Sequence, residues 1–145
     1  MISVAQKLHR RQHSKVKSLI FYVKGKVFSG KGEGAEFIKL PWVRKQIMEK
    51  FGFIPYVGTL NVRLAEESLA VKNLLKAKAI EISPTTGYCR GKCFEAYLRG
   101  NLKCAIVIPE IASYPEDIIE VIAPINLRER LQLKDGDTVE IKILL

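Results

Sequence analysis

The stretch that decides the fold is Phe53-Ile54-Pro55-Tyr56-Val57-Gly58-Thr59-Leu60-Asn61-Val62-Arg63-Leu64. It predicts an extended strand, because β-branched and aromatic residues are frequent in it and Pro55 does not fit a helix interior. Alternate side chains of a strand share a face, and here one face carries Val57, Thr59, Asn61 and Arg63. The Thr59 hydroxyl and the Asn61 carboxamide offer two oxygens about 7 Å apart, and neutral oxygens of this kind suit Mg²⁺. The alternative is two polar residues on a half-exposed strand without a ligand.

The positive charge of the chain is concentrated near its beginning. The net charge is +9, and eight of the 24 Lys and Arg residues precede residue 33, which leaves 16 against 15 acidic residues. We therefore predict a basic, poorly ordered arm at residues 1–17 and one domain at residues 18–145, with attraction to nucleic acid as the alternative role of the arm. No apolar run approaches the ~18 residues of a membrane span. The first residues also lack the apolar core of a secretory signal, so we expect a cytoplasmic protein.

A glycine-rich segment follows the first predicted strand, Ser18–Phe28. It reads Ser29-Gly30-Lys31-Gly32-Glu33-Gly34-Ala35, with glycine at every second position. Glycine lets backbone amides approach a ligand closely, so this segment is a candidate phosphate-binding loop. It lacks the Gly-Lys-Ser/Thr ending of a P-loop and precedes no predicted helix, so neither a P-loop nor a dinucleotide-binding fold follows. A flexible hairpin connection is the alternative.

Short strands and a few helices are predicted for the rest of the chain. The helices are predicted at Trp42–Phe51, ended by Gly52, at Ser68–Lys76 and, as a turn or two, at Ile125–Leu133. Extended segments are predicted at Glu36–Leu40, Lys78–Ser83, Tyr88–Leu98, Leu102–Pro109, Asp117–Pro124 and Thr138–Leu145. This pattern indicates a mainly β or α+β domain, built as a small closed β-barrel.

One charged residue interrupts an almost wholly apolar run. The run is Asp117-Ile118-Ile119-Glu120-Val121-Ile122-Ala123-Pro124. A buried carboxylate requires a partner or a function, because burying it unpaired is unfavourable. Glu120 is therefore a candidate functional residue, and a solvent-facing glutamate on an edge strand is the alternative.

Three cysteines, Cys89, Cys93 and Cys104, fall in the predicted β-hairpin. An odd number of cysteines in a reducing compartment argues against disulfides. His9 and His13 have the spacing of two ligands on one helical face, and with Cys89 and Cys93 they offer a zinc site on paper. Packed thiols and surface histidines are the preferred interpretation.

Three groups of residues stand in the order found in a known family. They are Ser29-Gly30-x-Gly32-Glu33-Gly34, then Gly52-Phe53-x-Pro55-Tyr56-x-Gly58-Thr59-Leu60-Asn61, and then Ile118-Ile119-Glu120-Val121-Ile122-Ala123-Pro124-x-x-Leu127-Arg128 with Leu133-Lys134-Asp135-Gly136-Asp137. Over about residues 20–145 the chain resembles the archaeal CTP-dependent riboflavin kinases. The resemblance implies a six-stranded cradle-loop β-barrel that moves the γ-phosphate of CTP onto the 5′-hydroxyl of riboflavin, giving FMN and CDP. Some members carry an N-terminal winged-helix DNA-binding domain, and we expect that domain to be absent here, because only the short basic arm precedes the predicted barrel.

The resemblance also implies roles for individual residues. The implied nucleotide contacts are Gly30, Lys31, Gly32, Glu33, Gly34, Ala35, Ile125, Asn126, Leu127 and Arg128. Thr59 and Asn61 would hold Mg²⁺, in agreement with the pair of oxygens on the predicted strand. Glu120 would face the ribityl chain of the flavin as a candidate base for its hydroxyl, and Ala112 occupies a position that contacts the flavin phosphate.

One segment departs from the family pattern. The family usually has Thr-His-Tyr-Pro where this chain has Ala112-Ser113-Tyr114-Pro115. Because Ala112 has no hydroxyl, Ser113 or a backbone amide would replace that contact, and a flavin-binding protein without catalysis is one alternative. A nucleic-acid-binding regulator is another, since Leu133–Glu140 also resembles the closing hairpin of small DNA-binding barrels. The kinase interpretation implies riboflavin and CTP as ligands, no nucleic-acid or membrane partner, and a monomer.

Overall fold

The computed structural model describes residues 19–83 and 90–145, which form seven strands and four short α-helices. The strands are β1 (Ile20–Phe28), β2 (Leu60–Leu64), β3 (Ile80–Ile82), β4 (Gly91–Leu98), β5 (Leu102–Pro109), β6 (Ile118–Ile122) and β7 (Thr138–Leu144). The helices are α1 (Glu33–Lys39), α2 (Pro41–Phe51), α3 (Glu66–Leu75) and α4 (Leu127–Leu131), with a 3₁₀ turn at Lys76–Lys78. Within these ranges, none of the helices has the length and apolar character needed to cross a membrane.

Six of the strands close into an antiparallel barrel in the order β4-β5-β6-β2-β1-β7. Pairing of β4 with β7 closes the ring, for example with Leu98 opposite Ile141. The short strand β3 pairs with the first residues of β4 and extends the sheet outside the ring. The predicted six-stranded β-barrel of mainly β or α+β class is therefore confirmed, whereas the arm at residues 1–17 lies outside the described residues.

Alternation along the strands fills the barrel interior with apolar side chains. Leu60, Val62 and Leu64 of β2 are buried in this interior, and so are Ile119 and Val121 of β6. A shift of one residue in register would move a whole set of side chains to the other face of the sheet. These apolar residues therefore determine that Asn61 and Glu120, which lie between them in sequence, face outward from the barrel.

A second apolar layer lies outside the barrel, beneath α1 and α2. Its helical residues pack on the outward face of the sheet, and the members include Phe37, Ile38, Val43, Ile47, Phe51, Cys93, Ala105, Val107 and Ile122. Ile122 follows Glu120 by two residues in β6, so both side chains point to this outer face. The outer layer, and not the barrel interior, therefore borders the candidate functional residues.

The end of the glycine-rich segment and the residues up to Lys39 are helical, so this segment does lead into a helix and the prediction of an extended piece at Glu36–Leu40 is wrong except at Leu40. Helix α1 begins at Glu33, directly after Gly32 with φ 85°. Phe37 and Ile38 are buried in the outer layer, and this tertiary burial outweighs the low helix propensity of glycine. Leu40 is extended with ψ 128°, as a residue before proline should be, and α2 begins at the next residue, close to the predicted start and with the predicted end.

The predicted strand at residues 53–64 is confirmed only at Leu60–Leu64. Residues 53–59 are irregular, since Gly58 has φ 147° and the Tyr56 amide donates to the carbonyl oxygen of Ala123 at 2.7 Å. Thr59 therefore precedes the strand. Asn61 and Arg63 are strand residues and share one face, as predicted. Val57 lies outside the strand, so the prediction does not extend to it.

Both described cysteines are buried free thiols, one in each apolar layer. Cys104 belongs to the barrel interior and Cys93 to the outer layer, and burial raises the pKa of each thiol to about 12. The zinc alternative relies on His9, His13 and Cys89, which lie outside the described residues. Within residues 19–83 and 90–145, no three His, Cys, Asp or Glu side chains are grouped as a metal site.

Candidate active site

Glu120 is buried at the edge of the outer layer, with 2% of its surface exposed. Both of its carboxylate oxygens accept hydrogen bonds: Thr59 Oγ1 donates to Oε1, and Tyr114 Oη donates to Oε2 at 2.6 Å. The interpretation as an edge glutamate is wrong, because β6 pairs with β2 on one side and with β5 on the other. The partners that a buried carboxylate requires are therefore present, and they fix its orientation.

Asn61 lies directly opposite Glu120 in the ladder between β2 and β6. Residues paired in this way on one face have Cβ atoms about 5 Å apart, so the carboxamide and the carboxylate are neighbours. Thr59 contacts the same carboxylate from the segment just before β2. The fold thus brings together Thr59, Asn61 and Glu120, which the sequence singled out separately.

The oxygens of Thr59 and Asn61 fit a hard cation. Hydroxyl and carboxamide oxygens are ligands that Mg²⁺ accepts, usually in combination with water and with the phosphates of a substrate. Thr59 Oγ1 directs its proton to Glu120, so the lone pairs of this oxygen remain for a cation. The donor set therefore suits a metal that shares its coordination with a substrate.

Two glycines of the glycine-rich segment lie directly against this polar group. A Cβ atom at Gly30 would lie 2.5 Å from Asn61 Oδ1, and one at Gly34 would overlap the Glu120 carboxylate. Any larger residue at either position would displace a polar side chain. The immediate neighbours of these glycines are therefore the protein's own candidate ligand and candidate base, and the approach of their backbone amides to a phosphate stays a prediction.

Each partner of the hydrogen bond between Thr59 and Glu120 lines a cavity, Thr59 a smaller one and Glu120 a larger one. The smaller cavity has a volume of about 230 Å³ and is lined by residues 56–60, Val121, Ala123 and residues 125–128. The larger cavity has a volume of about 440 Å³ and is lined by Phe28, Ser29, Gly30, Lys31, Asn61, Arg63, Ser113, Tyr114, Pro115, Ile118 and Glu120. The larger volume lies within the range of roughly 300–1,000 Å³ that is typical of small-molecule sites.

The remaining residues predicted from the sequence are distributed around these cavities. Gly30 and Lys31 line the larger cavity, whereas Ile125, Asn126, Leu127 and Arg128 line the smaller one. Gly32 directly precedes α1, and Glu33 and Ala35 lie in its first turn. Ala112 is exposed in its loop, and it is the neighbouring Ser113 that lines the larger cavity.

Two basic side chains hold the loop that carries Tyr114. No role for Tyr114 was predicted from the sequence. Arg63 forms an ion pair with Asp117, at an N–O distance of 3.1 Å. Lys72 is buried, its Nζ donates to the carbonyl oxygen of Glu116, and burial lowers the pKa of its amine. The end of the loop nearest β6 is therefore held in place, and this supports the phenol that contacts the buried carboxylate.

Known proteins of one family are similar to this chain over most of its length. A family model named CTP-dep_RFKase, with the description "Domain of unknown function DUF120", matches residues 27–143. A riboflavin kinase of Methanosarcina barkeri is 43% identical over 129 residues, which are 86% of this chain and 57% of that protein. A riboflavin kinase of Archaeoglobus fulgidus is 44% identical over 128 residues, covering 85% of this chain and 54% of that protein.

A third relative, a riboflavin kinase of Pyrobaculum islandicum, is 45% identical over 128 residues, covering 83% of this chain and 59% of that protein. The chain thus spans a little more than half the length of the curated relatives that it matches. The family model matches the barrel from the last two residues of β1 almost to the end of β7, and the match includes Thr59, Asn61, Tyr114 and Glu120. The chain therefore belongs to the CTP-dependent riboflavin kinase family.

Proposed function

We propose that this chain transfers the γ-phosphate of CTP to the 5′-hydroxyl of riboflavin, giving FMN and CDP. The observation that carries the proposal is a buried carboxylate, Glu120, that lines one cavity and whose hydrogen-bond partner Thr59 lines a second. Phosphoryl transfer depends on positioning of donor and acceptor and on charge stabilisation more than on covalent catalysis. Riboflavin would occupy the larger cavity, and the smaller cavity would hold part of the nucleotide.

The larger cavity offers a consistent orientation for the flavin. Asn61 and Arg63 are two residues apart on β2, or roughly 7 Å, which is comparable with the length of an extended ribityl chain. With the 5′-hydroxyl at Glu120, the isoalloxazine ring would lie near Arg63 and Phe28. The Arg63 guanidinium lies 5.0 Å above the Phe28 ring, so a flat charged and aromatic surface is available there.

Glu120 would orient the riboflavin hydroxyl and accept its proton as the new bond to phosphorus forms and the bond to the leaving oxygen of CDP breaks. Tyr114 and Thr59 would hold the carboxylate in position for this transfer. Thr59 and Asn61 would hold Mg²⁺, which, when bound, neutralises phosphate charge. Positive charge for the remaining phosphate oxygens would come from Lys31 in the larger cavity and Arg128 in the smaller one.

The other site assignments are part of the same proposal. The backbone of Gly30 to Ala35 and the residues Ile125 to Arg128 would contact the nucleotide, and Ser113 would replace the hydroxyl that Ala112 lacks. We also propose a monomer as the active form, since a single chain supplies all of these groups. The choice of CTP over other nucleotides is supported by the name of the family to which the chain belongs.

The test is formation of FMN from riboflavin in the presence of Mg²⁺ and, in parallel, CTP, ATP, GTP or UTP. FMN formation with CTP, at a rate well above that with the other donors, would support both the reaction and the donor. Absence of FMN with all four donors, for a protein shown to be folded by circular dichroism, would refute the proposal. A nucleic-acid-binding regulator would instead bind DNA or RNA with an affinity that falls steeply with salt, and none of the described contacts favours it.

A further inference from the structure

The turn at residues 134–137 is hydrogen-bonded to the end of β1. It belongs to the sequence motif at residues 133–137, to which the proposed reaction assigns no role. The Gly136 amide donates to the carbonyl oxygen of Val27 at 2.8 Å, and the Val27 amide donates to that of Asp137 at 2.9 Å. Within the turn, the Lys134 amide donates to Asp137 Oδ2 at 2.8 Å. The turn is therefore a defined structure whose side chains have fixed positions relative to β1.

The Asp135 carboxylate connects two other parts of the chain. Ser29 Oγ donates to Asp135 Oδ2 at 2.9 Å, and Arg128 Nη2 donates to Oδ1 at 2.7 Å. The same Nη2 atom also donates to the carbonyl oxygen of Phe28 at 2.9 Å. One carboxylate and one guanidinium thus tie the end of β1, the start of the glycine-rich segment and α4 to one another.

These connected parts are the two segments assigned to the nucleotide. Ser29 immediately precedes Gly30, and Arg128 is the last residue of the segment 125–128 that lines the smaller cavity. The side-chain hydrogen bonds of Arg128 to described residues use Nη2 only, and a guanidinium has five N–H donors. The bridge therefore fixes the direction of Arg128 and leaves donors for phosphate oxygens.

We propose that Asp135 is a positioning residue that sets the separation between the glycine-rich segment and α4, and thereby the affinity for the nucleotide. The inference rests on the proposed function, because it concerns the nucleotide side of the same site. Asp135 itself lines neither of the two cavities, so it would act through Ser29 and Arg128. Ser29 lines the larger cavity and Arg128 the smaller one, so riboflavin binding would change too, but less than nucleotide binding.

The expected effect is moderate, because the bridge is partly open to solvent. The exposed fractions of the side chains are 34% for Arg128 and 57% for Asp135, and exposed ion pairs contribute little. The two hydrogen bonds to Arg128 and Ser29 lower the pKa of Asp135, so the carboxylate is charged in any neutral assay. Asp135→Ala should raise the KM for CTP roughly three- to tenfold.

Asp137→Ala is the matched control, since it truncates the same side chain in the same turn and removes only the local hydrogen bond to Lys134. The experiment measures kcat and the KM values for CTP and riboflavin in the wild type and both variants. We expect a higher KM for CTP in Asp135→Ala but not in Asp137→Ala. In both variants kcat and the KM for riboflavin should stay within about twofold of wild type. Ser29→Ala should raise the KM for CTP less than Asp135→Ala does, and it should add little when combined with Asp135→Ala, because Ser29 acts through Asp135.

An unchanged KM for CTP in folded Asp135→Ala would overturn the inference. So would an equal rise in Asp137→Ala, or a parallel rise in the KM for riboflavin, since either would indicate general loosening of the structure. These KM comparisons can be made only if the wild type is active. Failure of the proposed function is a different outcome, because the wild type would then make no FMN. In that case calorimetric titration with CDP and Mg²⁺ still tests Asp135, and equal affinities of wild type and Asp135→Ala would overturn the inference.

Discussion

The barrel interior and the outer layer beneath α1 and α2 differ in what they enclose. Strand β6 shows the difference within three residues, because Ile119 and Val121 enter the apolar interior while Glu120 faces outward between them. The interior cluster consists of apolar side chains, whereas the outer layer ends at a hydrogen-bonded carboxylate. One strand therefore supports stability with one face and the candidate chemistry with the other.

The largest expected effect comes from the outward face of β6. Glu120→Gln should lower kcat by about 10²–10⁴-fold, because the variant cannot accept the proton of the riboflavin hydroxyl. Its free energy of unfolding should fall by only about 1–2 kcal/mol, since glutamine keeps one oxygen acceptor for Thr59 or Tyr114. FMN formation and urea denaturation measure the two quantities. Full turnover in Glu120→Gln would remove the proton-accepting role and leave only a binding role.

The neighbouring residue on the inward face should show the opposite behaviour. Ile119→Ala should lower the free energy of unfolding by about 2–5 kcal/mol, because it opens a cavity in a closely packed interior. The turnover number per folded molecule should stay close to wild type, as measured at a temperature below the lowered Tm. Loss of kcat comparable with that of Glu120→Gln would show that the two faces of β6 are not functionally separate.

A glycine substitution tests how closely α1 must approach the carboxylate. Gly34→Ala should lower kcat by about 10²-fold, because the added methyl group would displace Glu120 from its position. Alanine normally stabilises a helix relative to glycine by roughly 1 kcal/mol, so a loss of activity without a gain in stability would be diagnostic.

Gly100→Ala is the control for this prediction. Gly100 lies in the turn between β4 and β5 with φ 85°, and nothing lies within 4 Å of an added Cβ. Alanine there should cost about 1–2 kcal/mol of stability from the left-handed conformation and leave turnover unchanged. Equal activities of Gly34→Ala and wild type would contradict the assigned contact between α1 and Glu120.

The smallest of these effects is expected for the phenol that holds the carboxylate. Tyr114→Phe removes one hydrogen bond to a charged group and should lower kcat about tenfold, with little change in the KM for CTP. Tyr97→Phe offers a comparison, because its hydroxyl donates to Glu95 on another part of the barrel. A decrease of the same size in both variants would mean that Tyr114 has no specific role in positioning Glu120.

The parts of the fold predicted correctly from the sequence are those with strong local signals. A charged residue inside an apolar run identified Glu120, and Gly52 after an amphipathic segment identified the end of α2. Helix α1 was missed because Gly34 lowers helix propensity, and its stability depends on burial of Phe37 against a sheet distant in sequence. The predicted strand begins only at Leu60, and this late start likewise depends on pairing of Tyr56 with Ala123.

The contacts that complete the site could not be predicted from local sequence, because they depend on residues that are distant in the chain. Tyr114 precedes Glu120 by six residues, yet its hydrogen bond depends on how Arg63 and Lys72 hold the intervening loop. The need for glycine at position 34 also arises only when α1 packs over β6. Sequence patterns indicated candidate functional residues, while tertiary packing decides which of them lie together.

The central claim is that Thr59 and Asn61, on the outer face of the barrel, hold the metal needed for phosphoryl transfer next to Glu120. The most direct measurement is FMN and CDP formation from riboflavin and CTP at a series of Mg²⁺ concentrations, for the wild type, Thr59→Ala and Asn61→Ala. We predict equal amounts of FMN and CDP, no product in excess EDTA, and a shift to higher Mg²⁺ requirement with a loss of rate of about 10²-fold or more in both variants. Turnover by both variants at the wild-type rate and Mg²⁺ dependence would contradict the claim.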